Sequence, residues 1–236
     1  MRTNPSSQSG LFTLRILSAL SLCSAGALFA IASLTVSPKT ATAVTTASGA
    51  TIYVTTTAQK VGGIGTGGCS LQEAIYSSVL HSSFDGTHGI AIDATDPDHF
   101  ITTECVMGTG NGDTIILPTG GVFNLSYLSQ YLDEDAHNPY GPTATPIIFS
   151  TMTIEGAGAT LRWAGGTSKN ARLFAVGSAS ITINQDSLNT TVSGTGAVTL
   201  RDLDIKGFHV KGGNGSGGGG GGGGMGAGGA IYLQNG

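Results

Sequence analysis

The stretch Val198-Thr199-Leu200-Arg201-Asp202-Leu203-Asp204-Ile205-Lys206 decides the fold class that we expect for this chain. Apolar and polar residues alternate along it, as they do in a β-strand with one buried face. Glycine dominates residues 212–229, with an unbroken run at 217–224, and a second alternation follows at Ala230-Ile231-Tyr232-Leu233. A strand, a lengthened loop and another strand are typical of one coil of a solenoid. Because the second alternation stops at Gly236, we expect further coils in a longer protein.

Short strand patterns of the same kind recur upstream, separated by Gly, Asn and Pro. Their length favours a parallel β-helix over a β-sandwich, whose strands and loops run longer. A single coil cannot bury its apolar face, but stacked coils share one continuous core. The sequence therefore predicts an all-β solenoid, with strands at 51–55, 114–117, 122–125, 146–149, 152–156, 160–163, 172–176, 180–183 and 198–205.

One segment, Cys69–Leu80, has helical periodicity instead. Ser70 is suited to the N-cap and Glu73 stands three residues later, which is the capping-box pattern. We expect this helix to cover the open end of the stacked sheets, which would otherwise expose the core. The polar stretch 81–104 predicts an irregular surface loop. One face of the predicted helix is apolar and consists of Leu71, Ala74, Ile75 and Val79.

The N-terminal 43 residues predict an export signal. Arg2 and Arg15 supply positive charge, residues 16–36 are apolar or small and uncharged, and Ala41-Thr42-Ala43 fits a signal-peptidase site. We prefer cleavage before Val44. The alternative is an uncleaved anchor, since about 20 apolar residues can span a bilayer, but Gly, Ser and Ala dilute the hydrophobicity of this run. In either case the rest of the chain lies outside the cytoplasm.

The exported part is small and acidic. Residues 1–43 carry three basic residues and no acid, so their removal from 236 residues of net charge −4 leaves 193 residues of net charge −7. That length is enough for one domain of ordinary size. A surface poor in Lys and Arg argues against nucleic acid and anionic lipid as partners, and it is compatible with calcium.

Two cysteines remain after the signal, because Cys23 lies within it. Cys69 and Cys105 form an even pair in an oxidising compartment, so we predict a disulfide. The competing interpretations are a metal site and a reactive thiol. Neither fits the sequence well, because it contains no Cys-x-x-Cys and no Cys/His spacing.

The segment Cys69-Ser70-Leu71-Gln72-Glu73-Ala74-Ile75 closely resembles the signature of the CSLREA domain, which stands at the front of many exported bacterial proteins. In that family a strand precedes the motif, and a second cysteine and a Gly-Asp-Thr-Ile-like strand follow it. The similar parts of this chain are residues 51–55, Cys105 and residues 112–117. Two features depart from the family pattern. Gln72 stands in place of the usual arginine, and the stretch between the cysteines is longer than is typical.

The resemblance continues beyond this motif. Residues 153–158 and 198–207 are similar in style to right-handed β-helix repeats. Gly228-Gly229-Ala230-Ile231 is similar to the GGA[ILV] half of the polymorphic outer-membrane-protein repeat, without its companion Phe-x-x-Asn. The resemblance implies a right-handed, pectate-lyase-like parallel β-helix that is secreted or displayed at the bacterial cell surface, often through a C-terminal anchor domain. It implies no fixed reaction.

These observations divide the chain into three parts. We predict a signal peptide at 1–43, an N-terminal cap with the CSLREA-like motif and its helix at 44–110, and incomplete β-helix coils at 111–236 with a Gly-rich loop at 212–229.

Few residues are candidates for chemistry. Glu73 is explained by helix capping, so we assign it no catalytic role. Arg201, Asp204 and Lys206 should share the outer face of their strand if Leu200, Leu203 and Ile205 point inward. Polysaccharide lyases on parallel β-helices hold calcium with outward Asp residues and use a basic residue as proton abstractor. Calcium takes six to eight oxygen ligands, and the only acids near these basic residues are Asp202, Asp204 and Glu155. A solvated row of charges is therefore favoured.

Asp93, Asp96 and Asp98 are weak calcium candidates, because their oxygens alternate along a loop. The loop lacks the Gly and the terminal Glu of an EF-hand, so a polar loop is favoured, and Asp133-Glu134-Asp135 is weaker still. Trp163 could stack on a sugar, but a lone tryptophan in a strand more often packs in the core. The run 217–224 is no phosphate loop, because no Gly-Lys-Ser/Thr follows it. No zinc spacing links the histidines, which are His81, His88, His99, His137 and His209.

We predict a structural or adhesive protein of the cell surface or extracellular space, without catalytic residues or a bound cofactor in this chain. Its expected partners are polysaccharide or another cell surface, not nucleic acid. It would contact a membrane only through its N-terminal segment or a missing C-terminal domain. The alternative is a polysaccharide lyase or glycoside hydrolase on the same scaffold, with an active site in coils beyond Gly236.

Overall fold

Strands are the commonest regular elements of the described residues, and most of these strands pair in parallel. A computed structural model describes residues 48–126, 142–166, 171–210 and 229–234. Apart from one helix, all the regular elements in these ranges are strands, so the predicted all-β class is confirmed. In chain order the elements are β1 (Thr51–Tyr53), α1 (Leu71–Leu80), β2 (His88–Ile92), β3 (Phe100–Val106), β4 (Asn111–Ile116), β5 (Val122–Leu125), β6 (Thr151–Trp163), β7 (Phe174–Val176), β8 (Ser178–Gln185), β9 (Leu188–Thr195), β10 (Ala197–Lys206) and β11 (Ile231–Leu233).

The main sheet has the strand order β1-β4-β6-β10, with β5 also paired to β6, and all of these pairings are parallel. One inward-facing row of residues runs in register across it: Ile52, Ile115, Ile154 and Leu200. The three isoleucines are fully buried. Apolar residues are expected at these positions, because the strands of a parallel sheet are usually covered by the rest of the protein. Leu200 is half-buried, because no described strand pairs with the outer edge of β10. This row is termed the isoleucine ladder below.

A bend divides both β6 and β10 into two halves. The register passes from Glu155 opposite Arg201 to Ala159 opposite Leu203, so three residues of β6 lie against the single residue Asp202. Asp202 has φ 48°, in the left-handed region, where Asp is among the better tolerated residues. β4 pairs with β6 before the bend and β5 pairs with it after the bend. The strands predicted separately at 152–156 and 160–163 are thus one bent strand.

A second set of parallel pairings lies outside the main sheet and involves β7, β11 and two isolated bridges. β11 pairs with β7, with Phe174 opposite Ile231 and Val176 opposite Leu233. Isolated parallel bridges join Ile148 to Val176 and Thr143 to Arg172. The strand predicted at 146–149 is therefore reduced to one bridging residue, Ile148.

Helix α1 begins and ends close to its predicted bounds. Ser70 Oγ accepts a hydrogen bond from the Glu73 backbone N–H at 3.2 Å, and the Ser70 N–H donates to Glu73 Oε2 at 2.8 Å, so the capping box is confirmed. All ten helix residues are buried, including Ser77 and Ser78. The helix contacts β2, β3 and β4, so its polar face is enclosed by protein and does not face solvent.

The prediction of an irregular loop at 81–104 is wrong. β2 and β3 pair antiparallel there, with Ile92 opposite Phe100. Ile90 and Ile92 are buried in the same core as the apolar residues of α1, and the polar residues 93–99 only form the turn. The many Asp and His residues of this stretch made it look polar throughout. Its two strands nevertheless carry short apolar runs, which pack against α1.

A second antiparallel hairpin consists of β8 and β9. Its inner side chains, Ile181, Ile183 and Val192, are buried. Gln185 ties this hairpin to the first one, because its side chain accepts from the Phe100 N–H at 2.7 Å and donates to the Phe100 carbonyl at 2.8 Å. Strand β9 was not expected, since Val192 is its one fully buried apolar residue.

The predicted disulfide is confirmed at the level of geometry. Cys69 and Cys105 are bonded, with their Cα atoms 4.8 Å apart, inside the range that disulfides require. No helix in the described ranges is both long enough and apolar enough to traverse a bilayer. Several predictions concern residues outside those ranges, namely the signal at 1–43, Asp133-Glu134-Asp135, His137 and the glycine run at 217–224.

Candidate functional site

The outward side chains of β5, β6 and β10 form the most strongly charged face among the described strands. Before the bend, Glu155 and Arg201 are in register. After the bend, Asn124, Arg162 and Lys206 are in register across three adjacent strands and are all exposed. These three residues are termed the outer row.

The charges on this face are tied to neighbours. Arg201 Nη1 lies 2.7 Å from Glu155 Oε1, and Lys206 Nζ lies 2.5 Å from Asp204 Oδ2. Arg162 Nε donates to Asn124 Oδ1. Such exposed pairs contribute at most about 1 kcal/mol each. The prediction that Arg201, Asp204 and Lys206 share the outer face is confirmed, because these three are exposed while Leu200, Leu203 and Ile205 are half-buried.

This face does not assemble the site of a calcium-dependent lyase from these residues. Arg201 and Lys206, the two candidate proton abstractors, each already contact a carboxylate. Asp202 lies at the bend, whereas Glu155 and Asp204 are each paired with a basic side chain. Within the described ranges, no group of three or more His, Cys, Asp or Glu side chains is placed to hold a metal ion.

The calcium candidates lie in the turn between β2 and β3. Asp93 Oδ1 accepts from both the N–H and the hydroxyl of Thr95, each at 2.8 Å, and Asp96 Oδ1 accepts from the Asp98 N–H at 3.1 Å. The bond from the Thr95 N–H is the main reason that the pKa of Asp93 lies below its usual value. The oxygens of Asp93 and Asp96 are therefore directed at the turn itself, and the structure does not bring the three carboxylates together.

Glu73 lies at the centre of a buried charge cluster beside the disulfide. Its side chain is fully buried, and Oε1 lies 2.7 Å from Lys60 Nζ and accepts from the Gly62 N–H at 2.8 Å. Lys60 Nζ also lies 3.2 Å from Glu104 Oε2. Burial pushes the pKa of Glu104 upward, but hydrogen bonds from Lys60 and the Gly65 N–H outweigh it, and the net pKa is lowered. Every oxygen of Glu73 therefore has a donor, and the cluster fastens the Gly-rich loop 61–68 to the helix N-terminus.

The substitution Glu73→Gln is expected to destabilise the fold by about 2 kcal/mol, because the amide nitrogen would face the donors of Lys60, Gly62 or Ser70. Urea unfolding followed by circular dichroism measures the change. The matched control is Glu155→Gln, which makes the same chemical change in the exposed ion pair with Arg201 and should cost less than about 1 kcal/mol. A Glu73→Gln variant as stable as the wild type would contradict the structural role and return Glu73 to the list of functional candidates.

Asp113 is a second buried carboxylate, to which the sequence assigned no role beyond the strand-like segment 112–117. It is fully buried and accepts hydrogen bonds from Ala50, Ser78, Thr109 and Gly110. It thereby joins the start of β1, the helix and the turn before β4. The one sequence signal for this joining role is a short polar residue after a glycine, at Gly112-Asp113-Thr114, since Asp side chains often hydrogen-bond to nearby backbone.

Gln72, which stands where the resembling family has arginine, is also buried. Its Nε2 donates to the Ala144 carbonyl at 3.2 Å, and Gln59 Nε2 donates to the same oxygen at 3.1 Å. Gln59 Oε1 accepts from the Ser126 N–H at 2.6 Å. The two glutamines thus bind the chain before and after residues 127–141, at Ser126 and Ala144. In place of the arginine of the resembling family, Gln72 makes a neutral hydrogen bond.

The remaining candidates are scattered. Trp163 is half-buried, packs against the core and lies 5.9 Å from Phe208 between ring centroids, as the packing interpretation of its strand position predicts. Among the described histidines, His88 contacts Asp85 at 2.6 Å and His99 lies 3.8 Å from Asp93. The bond from His88 is the largest cause of the low pKa of Asp85. His81 and His209 each contact a nearby backbone carbonyl.

Comparison with known proteins adds no relative to this picture. No protein-family model matches the chain, and no curated protein or solved structure shows significant similarity to it.

Proposed function

We propose that the chain forms a right-handed parallel β-helix that is exported and acts as a structural or adhesive protein, binding polysaccharide or another cell surface. The single observation that carries this proposal is the repeated order of parallel pairings along the chain. Each repeat would be one coil, and each coil would contribute one strand to each sheet face.

Three successive segments follow the same order. The first offers β4, then β5, then the bridging residues Thr143 and Ile148. The second offers the first half of β6, then its second half, then β7. The third offers the two halves of β10, then β11. Parallel strands joined by such crossovers are right-handed in nearly all known cases, which supports the proposed hand.

Export is supported by two features. The Cys69–Cys105 pair is at disulfide distance, and disulfides persist in oxidising compartments. The CSLREA-like motif at residues 69–75 resembles the front of exported bacterial proteins. A binding role is supported by the outward faces of the parallel sheets, since stacked repeats present long surfaces of exposed side chains, and solenoids use such surfaces for recognition.

Affinity electrophoresis tests the proposed function. The exported form of the chain is run through gels that contain either a neutral glucan or polygalacturonate, and its binding to whole cells is measured by sedimentation. We expect retardation in at least one polysaccharide or co-sedimentation with cells, and none for protein unfolded in urea. Failure of all these assays would contradict the proposal. Release of unsaturated uronide from polygalacturonate in the presence of calcium would favour the alternative, a polysaccharide lyase.

A further inference from the structure

The outer row contains an unfavourable arrangement of charge. Arg162 on β6 and Lys206 on β10 are directly in register on adjacent parallel strands. Neighbouring strands lie about 4.8 Å apart, and like charges directly opposite each other destabilise a sheet. Both side chains are exposed, so the arrangement is not imposed by packing.

Each of the two cations contacts a polar neighbour. Arg162 Nε donates to Asn124 Oδ1, the next residue of the outer row, and no carboxylate in the described ranges contacts the guanidinium. Lys206 is held by Asp204, two positions back on its own strand. Thr160 is the in-register neighbour of Asp204 on β6 and carries a hydroxyl on the same face. The polar groups around Arg162 and Lys206 on this face are therefore the two cations themselves, the Asp204 carboxylate, the Asn124 amide and the Thr160 hydroxyl.

We propose that Arg162 and Lys206 form a subsite for an anionic group of an acidic polysaccharide, either a carboxylate or a sulfate. The inference rests on the proposed glycan-binding function and narrows its ligand class. A guanidinium whose Nε is already oriented by Asn124 presents its two remaining nitrogens as a fork, which suits a planar anion. The bound anion would remove the repulsion between the two cations. Because the chain as a whole is acidic, its net charge does not attract a polyanion, and the proposed subsite supplies the local attraction that binding requires.

Binding to polygalacturonate, dextran sulfate and neutral dextran tests the subsite. Arg162→Gln is expected to weaken binding to the preferred polyanion about tenfold, the effect of losing one charge-assisted hydrogen bond. Asp204→Asn should strengthen binding to the polyanion, since this change removes the carboxylate that is paired with Lys206. Arg201→Gln is the matched control, because it removes the same charge from the same face, outside the outer row. It should change the affinity by less than about twofold.

Thermal melting supplies a second readout. Polygalacturonate or dextran sulfate should raise the melting temperature of the wild type but not that of Arg162→Gln. Equal loss of affinity in Arg162→Gln and Arg201→Gln would overturn the subsite in favour of diffuse electrostatics. Binding to neutral dextran alone would overturn the subsite yet leave the proposed glycan-binding function standing. Absence of binding to all three polymers and to cells would overturn both. Preference for polygalacturonate or for dextran sulfate identifies the anion as carboxylate or sulfate.

Discussion

Replacing Asp113 with asparagine is expected to lower the free energy of unfolding by roughly 1 to 3 kcal/mol, because the donors around one of its two oxygens, the buried Ser78 hydroxyl among them, lose their acceptor. Asp113 Oδ2 accepts from Ser78 Oγ at 2.7 Å, and Oδ1 accepts from the Ala50 N–H at 2.8 Å and from Thr109 Oγ1 at 2.6 Å. A carboxylate accepts at both oxygens, whereas an amide brings two N–H donors of its own. The hydroxyls of Ser78 and Thr109 can turn, but the backbone N–H groups cannot.

Urea unfolding of Asp113→Asn and of a matched control measures this effect. Asp98→Asn makes the same chemical change at an exposed position and should lie within about 0.5 kcal/mol of the wild type. If Asp113→Asn does not fold, Ser78→Ala removes one of the donors and should cost about 1 kcal/mol. Stability of Asp113→Asn equal to that of the Asp98→Asn control would show that the buried carboxylate is not what joins β1, α1 and β4.

Removal of the disulfide is the second large effect that we expect. The bond closes a loop of 36 residues, for which the chain-entropy relation gives roughly 3 to 4 kcal/mol. The double substitution Cys69→Ala/Cys105→Ala should lose that amount in urea unfolding, and a reductant should lower the stability of the wild type to about the same level. The hairpin β2–β3 lies inside the closed loop, so its packing on α1 is the part that loosens first.

The double variant is its own control for the reductant, because it should not respond to it. A reductant that destabilises wild type and double variant alike would be acting elsewhere. A loss below about 1 kcal/mol would mean that the loop is already held by the Glu73 cluster and by the hairpin, and that the bond adds little.

The parts of the fold that sequence predicts well are those with a local rule. The capping box needs only Ser70 and Glu73 at the right spacing, and α1 begins where that rule places it. β10 needs only alternation, and its bounds differ from the prediction by one residue at each end. The disulfide prediction needs only the expected oxidising compartment and the two cysteines that lie outside the predicted signal.

The parts that were missed depend on partners far away in the chain. The hairpin β2–β3 packs against α1, and this distant contact is what gives its two short apolar runs a buried place among the polar residues of 81–104. β9 has one fully buried apolar side chain, Val192, and is held by its pairing with β8. The outer row needs the register of three strands, since Asn124, Arg162 and Lys206 are unrelated in sequence. Alternation within a strand predicts which side a residue faces, but not which residue lies beside it.

The isoleucine ladder has a consequence for how such a chain can change over generations. The connection from β1 to β4 carries a helix and a hairpin, and the connection from β7 to β10 carries another hairpin, yet Ile52, Ile115, Ile154 and Leu200 remain aligned. Each member of the ladder lies in register with the next member on the adjacent strand, and the entropic cost of closing a connecting loop grows slowly with the length of that loop. Insertion, deletion and duplication between ladder positions are therefore inexpensive, while replacement at a ladder position is not. Evolution can therefore change the exposed connections between the strands while the residues of the isoleucine ladder stay the same.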